Sequence, residues 1–195
     1  MKHIILLFLL GSFMLPASAQ RIIHSVGPNI AASNAGSAYY PLIAVSYTPR
    51  INLYEKEESS VSVGLPVNIG TIMFSGTGGM YLPSWEGYLV SVPAVITFNR
   101  GAGATRRFYK RTGFFAGAGM GYLYRKIYDD GFLNDTGHRS VINGPAATIH
   151  TGLRIGVGKK VPRYKHIELR LSFTMPLQKS NEHIAGFHLL FSRHK

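Results

Sequence analysis

The chain has 195 residues, 46% of them hydrophobic and only 15% charged, with 22 glycines, 11 tyrosines, 11 phenylalanines, no cysteine and a formal net charge of +12. Charge this sparse lies below the roughly 25% of an ordinary soluble domain, and glycine with aromatic residues suits curved sheet better than helix, so one all-β domain is expected. The lack of cysteine excludes a disulfide framework and a lipid-modified N-terminal Cys, which leaves stability to the closing and burying of a sheet.

Residues 1–20, MKHIILLFLLGSFMLPASAQ, place Lys2 and His3 before an apolar run at 4–10 and the small residues Ala17, Ser18 and Ala19 after it. A basic start, an apolar core and a small-residue cleavage site form the layout of a secretory signal peptide. Gly11, Ser12 and Pro16 interrupt the run, which is shorter than the roughly 20 residues a membrane helix needs. Residues 1–19 are therefore expected to be a cleaved signal peptide, and 20–195 an exported domain. No later stretch resembles a membrane helix, so membrane residence would require a barrel.

Period-two alternation, with turn residues between the runs, gives eight candidate strands at about 22–32, 38–50, 59–74, 87–99, 112–125, 146–159, 164–177 and 184–193. The stretch VSVGLPVNIG at 61–70 shows the pattern. Val61, Val63, Leu65, Val67 and Ile69 share one face, and Ser62, Gly64, Pro66, Asn68 and Gly70 the other. Pro66 has no N–H to donate and predicts a bulge or a local break in pairing.

In 112–125, Phe114, Ala116, Ala118, Met120, Tyr122 and Tyr124 oppose Phe115, Gly117, Gly119, Gly121, Leu123 and Arg125. In 146–159, Ile149, Thr151, Leu153, Ile155 and Val157 oppose Thr148, His150, Gly152, Arg154 and Gly156. In 164–177, Ile167, Leu169, Leu171, Phe173 and Met175 oppose His166, Glu168, Arg170, Ser172 and Thr174.

The second face decides which side is inside. A water-exposed sheet carries Lys, Glu, Gln and Thr, whereas here that face is mostly Gly, Ser, Thr, Asn and Ala with a few charges. Small residues fit the crowded interior of an eight-stranded barrel, so the large apolar face is expected to look outward. Aromatic residues gather near the strand ends: Tyr39, Tyr40, Phe74, Tyr88, Tyr122 and Tyr124 toward one rim, Tyr54, Phe98, Phe114, Tyr164 and Phe191 toward the other. Two such girdles are what a bilayer's two interfaces call for.

Signal peptide, eight strands and girdles together make residues 20–195 resemble the small outer-membrane β-barrels of Gram-negative bacteria, the OmpA-type and OmpX-type porin-like family. The resemblance implies an eight-stranded antiparallel up-and-down transmembrane β-barrel surrounded by outer-membrane lipids, as a monomer. Barrels of this family end on an aromatic residue; here Phe191 is followed by Ser192, Arg193, His194 and Lys195.

The resemblance also implies an orientation, with the N-terminus periplasmic and the connections near 33–37, 75–86, 128–145 and 178–183 facing outward. Arg106, Arg107, Lys110, Arg111, Lys159 and Lys160 then form a basic periplasmic rim suited to anionic headgroups or an acidic partner. Trp85, Asp129 and Asp130 fall in outer loops as candidate contact residues, with packing of its own loop the expected role of Trp85, and a surface or periplasmic protein partner is unidentified. Nucleic acid is not an expected partner, because the chain is exported and its basic residues lack an aromatic stacking platform.

On the lumen face stand His150, Arg154, His166, Glu168, Arg170, Arg125 and His188. A turn centred near Val161 sets Arg154 across from Glu168 with Arg170 diagonal to it, which predicts an interior salt-bridge network plugging the barrel. The expected role is structural or surface interaction, with specificity in the outer loops.

Three alternatives remain: a small pore, a lipid-modifying hydrolase, and a soluble periplasmic barrel binding an apolar ligand. A hydrolase would need a hydroxyl, a base and an orienting group. His150, Ser172 and Glu168 are the lumenal set, turned away from any acyl chain. "GAGMG" at 117–121 is alternation within a strand, and "GVGKK" lacks the Walker spacing. No catalytic residue, metal or cofactor is expected.

Overall fold

A computed structural model describes residues 22–35, 38–75, 81–105, 110–129, 138–157, 165–178 and 182–194. These residues form nine antiparallel segments: β1 (Ile22–Ala35), β2 (Ala38–Lys56), β3 (Ser59–Gly64), β4 (Val67–Ser75), β5 (Tyr81–Gly101), β6 (Thr112–Asp129), β7 (His138–Val157), β8 (Lys165–Pro176) and β9 (Ile184–His194). β3 and β4 lie end to end between β2 and β5, and β1 pairs with both β2 and β9, so the sheet closes as a ring of eight staves. Closure leaves no sheet edge to cover.

The divided stave holds the alternating stretch 61–70. Register does not slip across it: Arg50 faces Gly64 and Tyr47 faces Val67, three residues further on both strands. What is lost at Leu65 and Pro66 is ladder bonding, as the missing proline N–H dictates. Leu65 N still donates to Pro49 O at 3.0 Å.

Faces follow the alternation. Leu65 and Ile69 are exposed on the outer wall while Ser62, Gly64 and Pro66 are buried within, and Val61, Val63, Val67, Asn68 and Gly70 are half-buried. The pattern repeats around the ring: Ile30 (63% exposed), Ile96, Met120, Ile149 and Leu171 point outward, whereas Arg50, Asn99, Arg154 and Glu168 (0%) are enclosed. Large apolar side chains outside and charged ones inside invert the arrangement of a soluble domain. This is a transmembrane barrel, whose outer wall is matched to hydrocarbon.

Several boundaries differ from those expected. β5 begins at Tyr81 and β7 at His138, because the β4–β5 and β6–β7 hairpins stay paired well beyond the alternating segments, as far as Ser75 opposite Tyr81 and Asp129 opposite His138. Trp85 is thus in a strand, not an unpaired loop. It belongs to a bulge, since Thr71 faces Tyr88 while Ile72 faces Ser84, leaving Trp85, Glu86 and Gly87 as extra residues. Asp129 likewise ends β6 within the hairpin; Asp130 lies outside the described residues.

Candidate functional site

The lumen is the part of the molecule where polar chemistry converges. The end of the barrel where β1 begins and β9 finishes is called proximal and the opposite end distal. β5 finishes at Gly101, and residues 101–105 fold back against the proximal mouth, with Ala102 and Ala104 buried. Gly101 and Gly103 have positive φ (84° and 71°), and a side chain at Gly103 would crowd Arg154 Cδ at 3.2 Å. Asn52 Nδ2 donates to Ala104 O at 2.9 Å and Thr105 Oγ1 to Glu57 O at 2.8 Å, which ties the turn to β2 and the turn after it.

Above this turn sits Glu168, fully buried. Arg50 Nη1 donates to its Oε2 at 2.9 Å, Arg154 Nε to the same oxygen at 2.8 Å, and Arg170 Nε to Oε1 at 3.1 Å with Nη2 closer still. Arg154 Nη1 reaches Asn99 Oδ1 at 2.7 Å, and Arg170 Nη1 reaches Thr48 Oγ1 at 3.0 Å. The Phe115 ring lies 4.3 Å from the Arg154 guanidinium carbon, so a lumenal aromatic takes part of the charge that hydrogen bonds do not. The register places Arg154 opposite Glu168 and Arg170 two residues along, on β7 and β8.

His150 and His166 are buried beside this cluster. His150 Nε2 hydrogen-bonds Thr97 Oγ1 at 3.1 Å, and its ring packs 5.8 Å from that of Phe115. His166 lies under Gly103, at 3.4 Å from where that residue's Cβ would stand.

Farther along, Ser172 Oγ and His188 Nε2 are 2.8 Å apart. Gly186 permits this: a Cβ there would stand 2.9 Å from Ser172 Oγ and 3.1 Å from Asn29 Oδ1. A cavity of about 20 Å³ adjoins the pair, lined by Asn29, Asn68, Ser91 and Thr174 among others. That volume suits a water molecule. A lipid ester has no room there. The set His150, Ser172 and Glu168 does not assemble: Ser172 engages His188, His150 engages Thr97, and Glu168 is held by three arginines.

The distal half of the lumen is apolar, built on Leu42, Ile72, Leu89, Leu123, Ile127 and Ile184. Tyr40 belongs to this cluster and not to a girdle, because alternation turns Tyr39 outward and its neighbour inward. Between Leu123 and Ile127 of that cluster Arg125, completely buried, donates from Nη1 to Ser33 Oγ and to Asn34 O at 2.9 Å, and its Nη2 pairs with Glu182.

Outside, Tyr39, Tyr88 and Tyr122 are exposed distally, and Tyr54, Phe98, Phe114 and Phe191 proximally. Tyr88 stacks on Tyr124 with centroids 5.3 Å apart. Tyr47 adds to the proximal group, hydrogen-bonded to His24 Nδ1 at 2.8 Å. The side chain of Phe74 and all of Tyr164 are outside the described residues.

Of the basic rim, Lys110 and Arg111 are exposed at the proximal end, Lys110 meeting Glu58 at 3.3 Å in an exposed pair. Such pairs contribute little. Arg106, Arg107, Lys159 and Lys160 lie outside the described residues. Among the described residues, no group of three or more acidic or histidine side chains is disposed to hold a metal ion.

No protein-family model and no curated protein sequence matches this chain. Solved structures do. Neisserial surface protein A (NspA) superposes with a TM-score of 0.62 at 9% identity, over 89% of this chain and 97% of that one. Ail, the attachment invasion locus protein of Yersinia pestis, in complex with the heparin analogue sucrose octasulfate, gives a TM-score of 0.53 at 12% identity, over 90% and 97%. Identity this low carries architecture alone, and on that architecture the chain has the fold of the small eight-stranded outer-membrane β-barrels.

Proposed function

We propose that this chain is an outer-membrane barrel of a Gram-negative bacterium, exported through a signal peptide at 1–19, with a structural or surface-interaction role and a lumen closed to solute. The distal end faces the outside, and its hairpins, including the Trp85 bulge, carry any contact with a partner. Outer-membrane lipids surround the wall, and the basic proximal rim lies at the periplasmic headgroups. The barrel functions as a monomer without catalysis.

The observation that carries this proposal is the filling of the lumen at successive levels: the 101–105 turn, the Glu168 cluster, the Leu42–Leu123 apolar layer and the Arg125–Glu182 pair. Eight staves enclose a space that side chains can fill. Ail's name and its complex with a heparin analogue favour surface attachment over transport for this architecture.

Two measurements test the proposal. In cell fractionation with heat-modifiable gel migration, the protein should sediment with outer membranes and change mobility on boiling; recovery in the soluble periplasm would refute membrane residence. In planar bilayers the folded protein should give no single-channel steps, and regular steps would establish the pore instead.

A further inference from the structure

The Glu168 cluster brings three guanidiniums to one carboxylate, an excess of two positive charges in a closed interior. Arg154 and Arg170 spread their charge over several partners. Arg154 reaches Glu168, Asn99 and the Phe115 ring, and Arg170 reaches Glu168 and Thr48. Arg50 differs. It is 4% exposed, its Nη1 alone meets Glu168, and Nε and Nη2 are buried with no hydrogen-bond partner among the described residues.

Nε and Nη2 form one edge of the guanidinium, with two N–H groups pointing the same way. This is the fork that binds an anion through two parallel hydrogen bonds. Arg170 spends the equivalent edge on Glu168 Oε1, which shows how the cluster uses it when an anion is at hand.

Among the described residues, Arg50 is ion-paired with Glu168 and with no other carboxylate. Its register partners are Ile23 on β1 and Gly64 on β3, the latter without a side chain to offer. Ser25 and Ser62, buried hydroxyls, are the diagonal neighbours on those strands. Glu57 and Glu58 stand in the β2–β3 turn at the mouth, and Glu55, near the end of β2, accepts from Asn52 Nδ2 at 2.7 Å. A buried donor edge left unmatched costs its full desolvation, and an unbalanced buried charge costs more.

We propose that the free Nε–Nη2 edge of Arg50 binds a small monovalent inorganic anion of halide size inside the barrel, lowering the charge excess of the Glu168 cluster. A spherical ion accepts both N–H groups without needing the volume of an oxyanion. The site goes beyond the proposed structural role, and its failure would leave that role intact.

The protein is unfolded in urea and refolded into detergent in sodium bromide or in sodium gluconate at equal ionic strength, and its thermal midpoint is read from heat-modifiable migration. The midpoint should be several degrees higher in bromide, with saturation as bromide is raised. Arg50→Gln should refold to the same mobility and show one midpoint in both salts. Equal wild-type midpoints, or an undiminished bromide effect in Arg50→Gln, would overturn the proposal. Should Arg50→Gln not refold, wild-type crystals grown in bromide decide: an anomalous peak within contact of Arg50 Nε and Nη2 supports the site, and its absence there removes it.

Discussion

Arg154 and Glu168 face each other across the β7–β8 ladder, and the Arg154 Nε–H reaches the Glu168 carboxylate at 2.8 Å, both side chains buried in the barrel interior. The contact joins two adjacent strands, but the same carboxylate also accepts from Arg50, 118 residues earlier on β2. Glu168 therefore ties opposite parts of the ring together. Glu168→Gln keeps the shape and removes the charge, leaving three buried guanidiniums unbalanced. Breaking a buried ion pair from one side costs about 3–5 kcal/mol. A clear fall in the thermal midpoint of the folded band is expected; an unchanged midpoint would mean that the cluster does not hold the barrel together.

Gly117 brings the wall close to lumenal His150. A Cβ at this position would lie 2.5 Å from Ile96 O and 2.8 Å from both His150 Nε2 and Thr97 Oγ1. Gly117→Ala must push the Thr97–His150 bond apart or distort the β5–β6 ladder, an overpacking cost of about 1–3 kcal/mol. Urea unfolding in detergent should show it as a lower midpoint. A midpoint equal to wild type would place His150 and Thr97 farther from the wall than 2.8 Å.

The two faces of a single strand should respond oppositely to charge. Ile149 is 59% exposed on the outer wall, whereas Thr148, beside it, is buried in the lumen and hydrogen-bonded to Thr174 at 3.0 Å. Ile149→Lys sets an ammonium against hydrocarbon, at a cost of about 2–4 kcal/mol near the midplane. Folding yield into lipid vesicles should fall accordingly. In a detergent that lets lysine reach water, the loss should be smaller.

The proximal turn should be a separable part of the seal. Ala104 is fully buried and its carbonyl accepts from Asn52. Ala104→Gln cannot fit there without moving residues 101–105 out of the mouth. Protease cleavage between β5 and β6 should become faster while the rest of the barrel stays resistant. Cleavage at the wild-type rate would mean that the turn is not held by Ala104.

Much of this architecture could be read from alternation, because a stave's side chains have only two directions to take. Ser62 against Leu65 and Arg154 against Ile155 fell on the expected faces, and the Arg154–Glu168 register followed from the centre of one turn. Pro66 announced the gap between β3 and β4 through its missing N–H.

Other features are set by closure, which no local pattern encodes. Arg50 joins Glu168 from across the ring, and Ser172 meets His188 on β9 instead of His150 on β7 because both neighbours of β8 were available to it. The connection after β5 is long for a turn between strands. Its Gly-Ala-Gly-Ala run is small enough to tuck into the mouth, a signal of size rather than periodicity. The extended hairpins and the Trp85 bulge carry no clean alternation, so their pairing rests on partner strands.

The outward direction of the apolar face is the central claim, and it can be measured along residues 61–70. With no native cysteine in the chain, single cysteines at each position can carry a nitroxide in lipid vesicles, and collision with oxygen, which concentrates in hydrocarbon, can be compared with collision with a polar nickel complex. Oxygen accessibility should alternate with period two, with maxima at Val61, Val63, Leu65, Val67 and Ile69. Maxima at Ser62, Gly64, Asn68 and Gly70, or no alternation at all, would contradict it.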